Sequence, residues 1–111
     1  MSMKSISVSD VMNLCEYEKI RDARRREVIE LKARRRVQVG RYLSFVFENR
    51  ATVLFQIQEM CRAERIVDES KIAEEVDVYS SLLPGPGELV ATMMIEITEL
   101  SEIKRVLDKL L

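Results

Sequence analysis

The spacing of apolar positions divides the chain into stretches of two different periods. Between Glu16 and Arg36, Tyr17, Ile20, Val28 and Leu31 recur at helical intervals among arginines, lysines and carboxylates. Asp22 offers a cap inside that stretch, which predicts a break near Arg21. Ahead of it, Ser7, Ser9 and Asp10 are capping residue types for a short first helix carrying Val11 and Leu14. After Arg36 the period shortens to two. Val37 and Val39 alternate with polar neighbours, Gly40-Arg41 supplies a turn, and Leu43, Phe45 and Phe47 share one face of the next run. This pattern predicts a β-hairpin.

Asn49 is a good N-cap for a central helix over about 50–65, on which Val53, Leu54, Ile57, Met60 and Cys61 form one apolar arc. Asp68 caps a further helix with Ile72, Val76 and Tyr79 at helical spacing, and Pro84-Gly85-Pro86-Gly87 forces a loop. From Leu89 to Ile97, residues Leu89, Ala91, Met93, Ile95 and Ile97 alternate with Val90, Thr92, Met94 and Glu96. Because most of both faces are apolar, this reads as a third strand in a central position, with Val90, Thr92 and Met94 leaving a second face to be covered. Thr98 or Ser101 opens a last helix with Leu100, Ile103, Val106, Leu107 and Leu110 inward. The predicted fold is α+β: a small antiparallel sheet, hairpin plus one central strand, packed with about four helices in a single domain over 1–111. Lys109-Leu110-Leu111 stops within the apolar pattern, without a glycine cap or polar tail. That points to the front part of something longer or to an end hidden against a partner.

Length allows one core, and 47% hydrophobic with 33% charged residues describes a folded rather than a disordered chain. Apolar runs are too short to span a bilayer and the start is polar, so a cytoplasmic protein with free thiols at Cys15 and Cys61 is expected. The net charge of −1 hides an asymmetry: residues 1–50 hold 12 Lys/Arg against 7 Asp/Glu, and residues 51–111 hold 6 against 12. Two halves that complement each other within the fold or across a dimer account for this better than an external polyanion.

Histidine is absent from the sequence, which removes Ser–His and Cys–His nucleophiles and the commonest metal ligand. Gly85 and Gly87 alternate with prolines and precede a strand, so they do not form a phosphate loop. No catalytic, cofactor-binding or metal-binding residue is assigned, although carboxylate-only metal sites stay open. Arg21, Arg24, Arg25, Arg26, Lys32, Arg34, Arg35, Arg36 and Arg41 form a basic stretch, but Asp22, Glu27 and Glu30 are interleaved at helical spacing. Internal pairing is the expected fate of these charges, ahead of nucleic-acid contact. On the central helix Phe55, Gln58, Glu59, Arg62 and Arg65 lie opposite the apolar arc, while Glu64 falls inside it. These six residues are the candidate interaction site; for Glu64 the alternatives are a helix-end carboxylate in water or one paired with arginine, and for Phe55 a packed ring or a partner's anchor.

The runs Glu16-Tyr17-Glu18-Lys19-Ile20-Arg21, Phe47-Glu48-Asn49-Arg50, Thr52-Val53, Gln56-Ile57-Gln58-Glu59-Met60 and Arg62-Ala63-Glu64-Arg65-Ile66 resemble the bacterial and archaeal domain-of-unknown-function family 3501. Asp77-Val78-Tyr79, Leu83-Pro84 and Ala91-Thr92-Met93-Met94-Ile95-Glu96 extend the resemblance over nearly the whole chain. Ser80 departs from the asparagine that the family tends to carry after the tyrosine, and family members usually continue further. The resemblance implies no assigned activity. Its gene neighbourhood implies an accessory role in redox or peroxide defence beside rubrerythrin-like and iron–sulfur proteins.

Two function classes follow. The first is a non-catalytic interaction or assembly module that self-associates as a homo-oligomer, a dimer before others, with Val106, Leu107, Leu110 and Leu111 as candidate contacts. The second is the redox accessory, working with a redox-protein partner through Cys15, Cys61 or carboxylates.

Overall fold

The computed structural model describes residues 5–96, 105 and 107–109. A 3-10 turn, Val8–Asp10, leads into helix α1 (Leu14–Arg34), the hairpin strands β1 (Arg36–Val39) and β2 (Leu43–Phe47), helices α2 (Arg50–Glu64) and α3 (Glu69–Ser80), and strand β3 (Ala91–Ile95). Arg105 and residues 107–109 are helical as well. The fold is α+β with a three-stranded antiparallel sheet, as the patterning predicts.

Several expectations change in detail. The first helix is only the 3-10 turn, and Leu14 belongs to α1, capped by the Asn13 side chain accepting from the Glu16 N–H at 2.9 Å. α1 runs through Arg21 without a break. Asp22 is exposed, and continuing the ladder satisfies more backbone groups than a cap there would. Tyr17 and Val28 are buried on α1, with Ile20, Arg21, Arg24 and Leu31 half-buried between and beyond them: one narrow stripe faces the rest of the protein.

The sheet order is β1-β2-β3, so β2 is central and β3 lies at an edge. The expectation of a central third strand fails because the hairpin's second arm takes pairing on both sides. In the antiparallel register Val37, Phe45 and Met93 are opposite one another, as are Val39, Leu43 and Ile95, with Phe47 beside Ala91. All eight therefore point to one face. The other face carries Arg36, Gln38, Ser44, Val46, Thr92 and Met94, and here Ser44 and Val46 are buried. Leu43, Phe45 and Phe47 do share a face, but it is the half-open one. The face needing cover on β3 is that of Ala91, Met93 and Ile95, not that of Thr92 and Met94.

The core cluster lies apart from this sheet face. Val53, Ile57 and Cys61 of α2 pack with Ile6 and Val76, ringed by Val11, Leu14, Leu54, Ile66, Ile72, Tyr79, Leu82 and Leu83. Both helices start from working caps: Asn49 and Thr52 bond reciprocally across the first turn of α2, and Asp68 accepts from the Ser70 N–H. The expected last helix is reached only at Arg105 and 107–109; Leu100, Ile103, Val106, Leu110 and Leu111 lie outside the described residues.

Candidate functional site

The polar side of α2 is directed at α1. Arg21 donates from Nε and Nη2 to both carboxylate oxygens of Glu59, at 2.9 and 2.8 Å, while the Tyr17 hydroxyl donates to Glu59 Oε2 at 2.7 Å. One turn along, Arg62 grips Glu18 in the same bidentate manner, at 2.8 and 3.0 Å. The Arg21 guanidinium, helped by the Tyr17 hydroxyl, holds the Glu59 carboxyl below its ordinary range, and Arg62 does the same for Glu18. Burial, then the hydrogen bond to Glu59, pushes the Tyr17 phenol well above its usual value.

Gln58 has a different role. It is 4% exposed, and its amide clamps the Met12 backbone: Oε1 accepts from the Met12 N–H at 2.5 Å and Nε2 donates to the Met12 carbonyl at 3.3 Å. Met12 lies between the 3-10 turn and α1, where no ladder serves its backbone, so the side chain stands in for one. Of the remaining sequence candidates, Phe55 is half-buried beside Leu54 and Gln58, whereas Glu64 and Arg65 are exposed at the helix end. Glu64 thus takes the helix-end alternative. The six candidates divide between an internal seam (Gln58, Glu59, Arg62) and surface or edge positions (Phe55, Glu64, Arg65).

The basic stretch divides similarly. Arg21 pairs with Glu59, Arg24 with Glu27 at 3.6 Å, and Arg36 with Glu96 at 3.5 Å. Arg35 donates to the Phe47 and Glu48 carbonyls, and Arg26 to the Asp22 carbonyl. Arg21 and Arg35 thus tie α1 to α2 and to the end of β2, while Arg24 and Arg26 bond within α1 itself.

A buried polar centre at the β2–α2 junction carries no signal in the sequence pattern. Glu48 is 5% exposed; Thr52 donates its hydroxyl to Oε2 at 2.5 Å, and Thr92 donates to Oε1 at 2.7 Å. The Glu48 N–H bonds the Val90 carbonyl at 2.8 Å, fastening β3 to the start of α2. A carboxylate at a helix entry looks like a routine surface residue until the strand bearing Thr92 is folded beside it.

On the open sheet face, Met93 is 51% exposed, Val37 and Val39 47%, and Ile95 40%. Leu43, Phe45 and Phe47 are half-buried between them. This is a contiguous apolar surface carried by three paired strands. Leu107, a predicted oligomer contact, is 37% exposed. The helical turn that bears it adjoins the hairpin tip: Arg105 and Lys109 line a cleft with Val39, Tyr42 and Leu43. Among the described residues no helix is long and apolar enough to cross a membrane.

Architecture and surface together define a small α+β domain, with helices gathered around α2 and an antiparallel sheet that carries one apolar, partly exposed face. The family model described as "Protein of unknown function (DUF3501)" matches residues 5–111, and the chain belongs to that family. It is similar to the crystal structure of a novel protein of unknown function from Burkholderia pseudomallei K96243, with 34% identity and a TM-score of 0.89 over 96% of this chain. The chain spans 60% of the length of that protein. Comparison with curated proteins gives no match.

Proposed function

We propose that the protein is a non-catalytic interaction module that self-associates through the open face of its sheet. The observation that carries this reading is the face itself: seven large apolar side chains and Ala91, aligned by strand register and half-exposed. Contiguous apolar surface of this kind marks interaction sites on folded proteins. A second copy fits it, with the two sheets stacked as in a β-sandwich. A twofold axis along β2 then lays the β1 side, flanked by Arg34 and Arg41, over the β3 side, preceded by Glu88. The sequence's basic first half and acidic second half match that arrangement.

Magnitudes limit the affinity. Completing the burial of a half-exposed Val, Leu, Ile, Phe or Met gains about 1 kcal/mol, half the usual full-burial value. Seven such residues on each of the two copies yield roughly 14 kcal/mol, against a cost of about 4–15 kcal/mol for immobilising two bodies. With a cost in the middle of that range or above, association is micromolar or weaker. Light scattering across a concentration series extending to high micromolar tests this, with Met93→Glu as the disrupting variant. A mass that rises toward the dimer, and returns to the monomer in Met93→Glu, supports the module. A monomer throughout, or a dimer indifferent to Met93→Glu, overturns it.

The redox-accessory alternative gains less support. Cys15 is exposed on α1, Cys61 is buried in the core, and neither is in a disulfide.

A further inference from the structure

A cavity of about 510 Å3 lies away from the sheet, where the 3-10 turn, the start of α1, the end of α2 and the start of α3 converge. Local chemistry builds each wall. Gln58 fixes the Met12 backbone and so positions Val11, Met12 and Leu14 on one side. Arg65 adopts a left-handed conformation, φ 52°, and turns the chain so that the Ile66 N–H bonds the Cys61 carbonyl at 2.9 Å. That turn brings Ile66 and Val67 to the opposite wall, with Ile72 of α3 behind them and Cys61 lining the deep side. The volume lies in the range of small-molecule sites, and so does the composition: mostly aliphatic, with a few polar groups.

Charge decides which ligand fits. Among the described residues lining the cavity, the one charged side chain is Glu69, in the first turn of α3, and none is a lysine or arginine. The other polar lining groups, Ser9 and Asn13, are turned to local bonds: Ser9 with the Ser7 hydroxyl at 2.8 Å, Asn13 Oδ1 with the Glu16 N–H. Burial, which disfavours charge of either sign, pushes the Cys61 thiol up, and Glu75 and Glu64 push it further. An anionic ligand would meet no cationic side chain among the described lining residues. A cationic one would find its counter-charge at the rim.

We propose that this cavity binds a small apolar amine, its hydrocarbon body between Val11, Leu14, Ile66 and Ile72 and its ammonium at Glu69. Cys61 contributes a neutral, polarisable surface to the apolar end. This site is separate from the sheet face, and its occupancy does not depend on self-association.

Three probes that share a phenylethyl body test it: 2-phenylethylamine, 2-phenylethanol and 3-phenylpropionate, each titrated into protein carrying 13C-methyl methionine. The Met12 methyl resonance reports the cavity wall, and the rate of Cys61 alkylation by iodoacetamide, with Cys15 as internal control, reports the deep side. The amine should shift the Met12 methyl saturably and slow Cys61 alone. It should bind roughly two- to five-fold tighter than the alcohol, the discrimination that an exposed ion pair supplies, with the carboxylate weakest. Glu69→Gln, a change at an exposed position, should bring the amine down to the affinity of the alcohol. A Met12 methyl unmoved by all three probes, a carboxylate equal to the amine, or an amine preference that survives Glu69→Gln would each overturn the proposal.

Discussion

Replacing Gln58 by leucine separates an internal role for this residue from a role on a partner surface. The substitution nearly conserves volume but removes both hydrogen bonds to the Met12 backbone. A buried backbone group left unsatisfied costs about 1–3 kcal/mol. Met12 is half-buried, so water partly recovers its N–H and C=O, and the low end applies to each. Two groups at about 1.5 kcal/mol, offset by about 1 kcal/mol from burying an apolar side chain in place of an amide, leave a loss of about 2 kcal/mol. For a domain of this size that is a fall of roughly 8–15 °C in Tm. Urea denaturation supplies the free energy, and amide hydrogen exchange supplies the local readout, in which the Met12 N–H should exchange faster while amides in the middle of α2 follow only the global change. A loss under about 0.5 kcal/mol, with Met12 exchange unaltered, would refute the clamp.

Glu59 predicts an acid limb. Its carboxyl is held below the ordinary value of 4.5 by Arg21, so its contribution is complete above that pH and is lost as pH falls through the lower folded value. Glu59→Gln should therefore be less stable than wild type at pH 7, and the two should converge toward pH 3 in a urea-midpoint series; parallel curves would contradict the coupling. Arg65, the non-glycine residue at φ 52°, should be improved by Arg65→Gly, with up to about 1 kcal/mol gained in the same assay. A loss of stability there would show that the Arg65 side chain matters more than its backbone. Cys15 should react freely with a thiol reagent and Cys61 roughly tenfold more slowly or worse, since burial and neighbouring carboxylates disfavour its thiolate; equal rates would contradict the core placement of α2.

Much of the fold could be read from period and punctuation. Gly40 sits at φ 68° in the turn that alternation on either side predicts, Asn49 and Asp68 cap the helices they introduce, and Val53, Ile57 and Cys61 are buried as the apolar arc of α2 requires. What could not be read depends on contacts distant in sequence. Strand alternation distinguishes two faces but not which one turns inward, so Leu43, Phe45 and Phe47 had the stronger claim to burial although Ser44 and Val46 take it. Apolar residues on both sides of a strand signal centrality only if another strand is available; among the described residues β3 pairs with β2 alone, and Met93 and Ile95 stay partly exposed. The polar crowd on α2 is conspicuous in the sequence, but its assignment needs Arg21, Glu18 and Met12, 38 to 46 residues away. Once those partners are in place, the exposed apolar residues left to explain lie on the sheet rather than on the polar side of α2.

The most direct measurement of that surface is an isotope-filtered NOE experiment on a mixture of labelled and unlabelled protein at high concentration. The two-fold stack of open faces predicts intermolecular contacts from the Met93 methyl of one copy to Val37, Val39 and Phe45 of the other. Contacts confined to α1 or α2, or none at a concentration where light scattering reports a dimer, would contradict it.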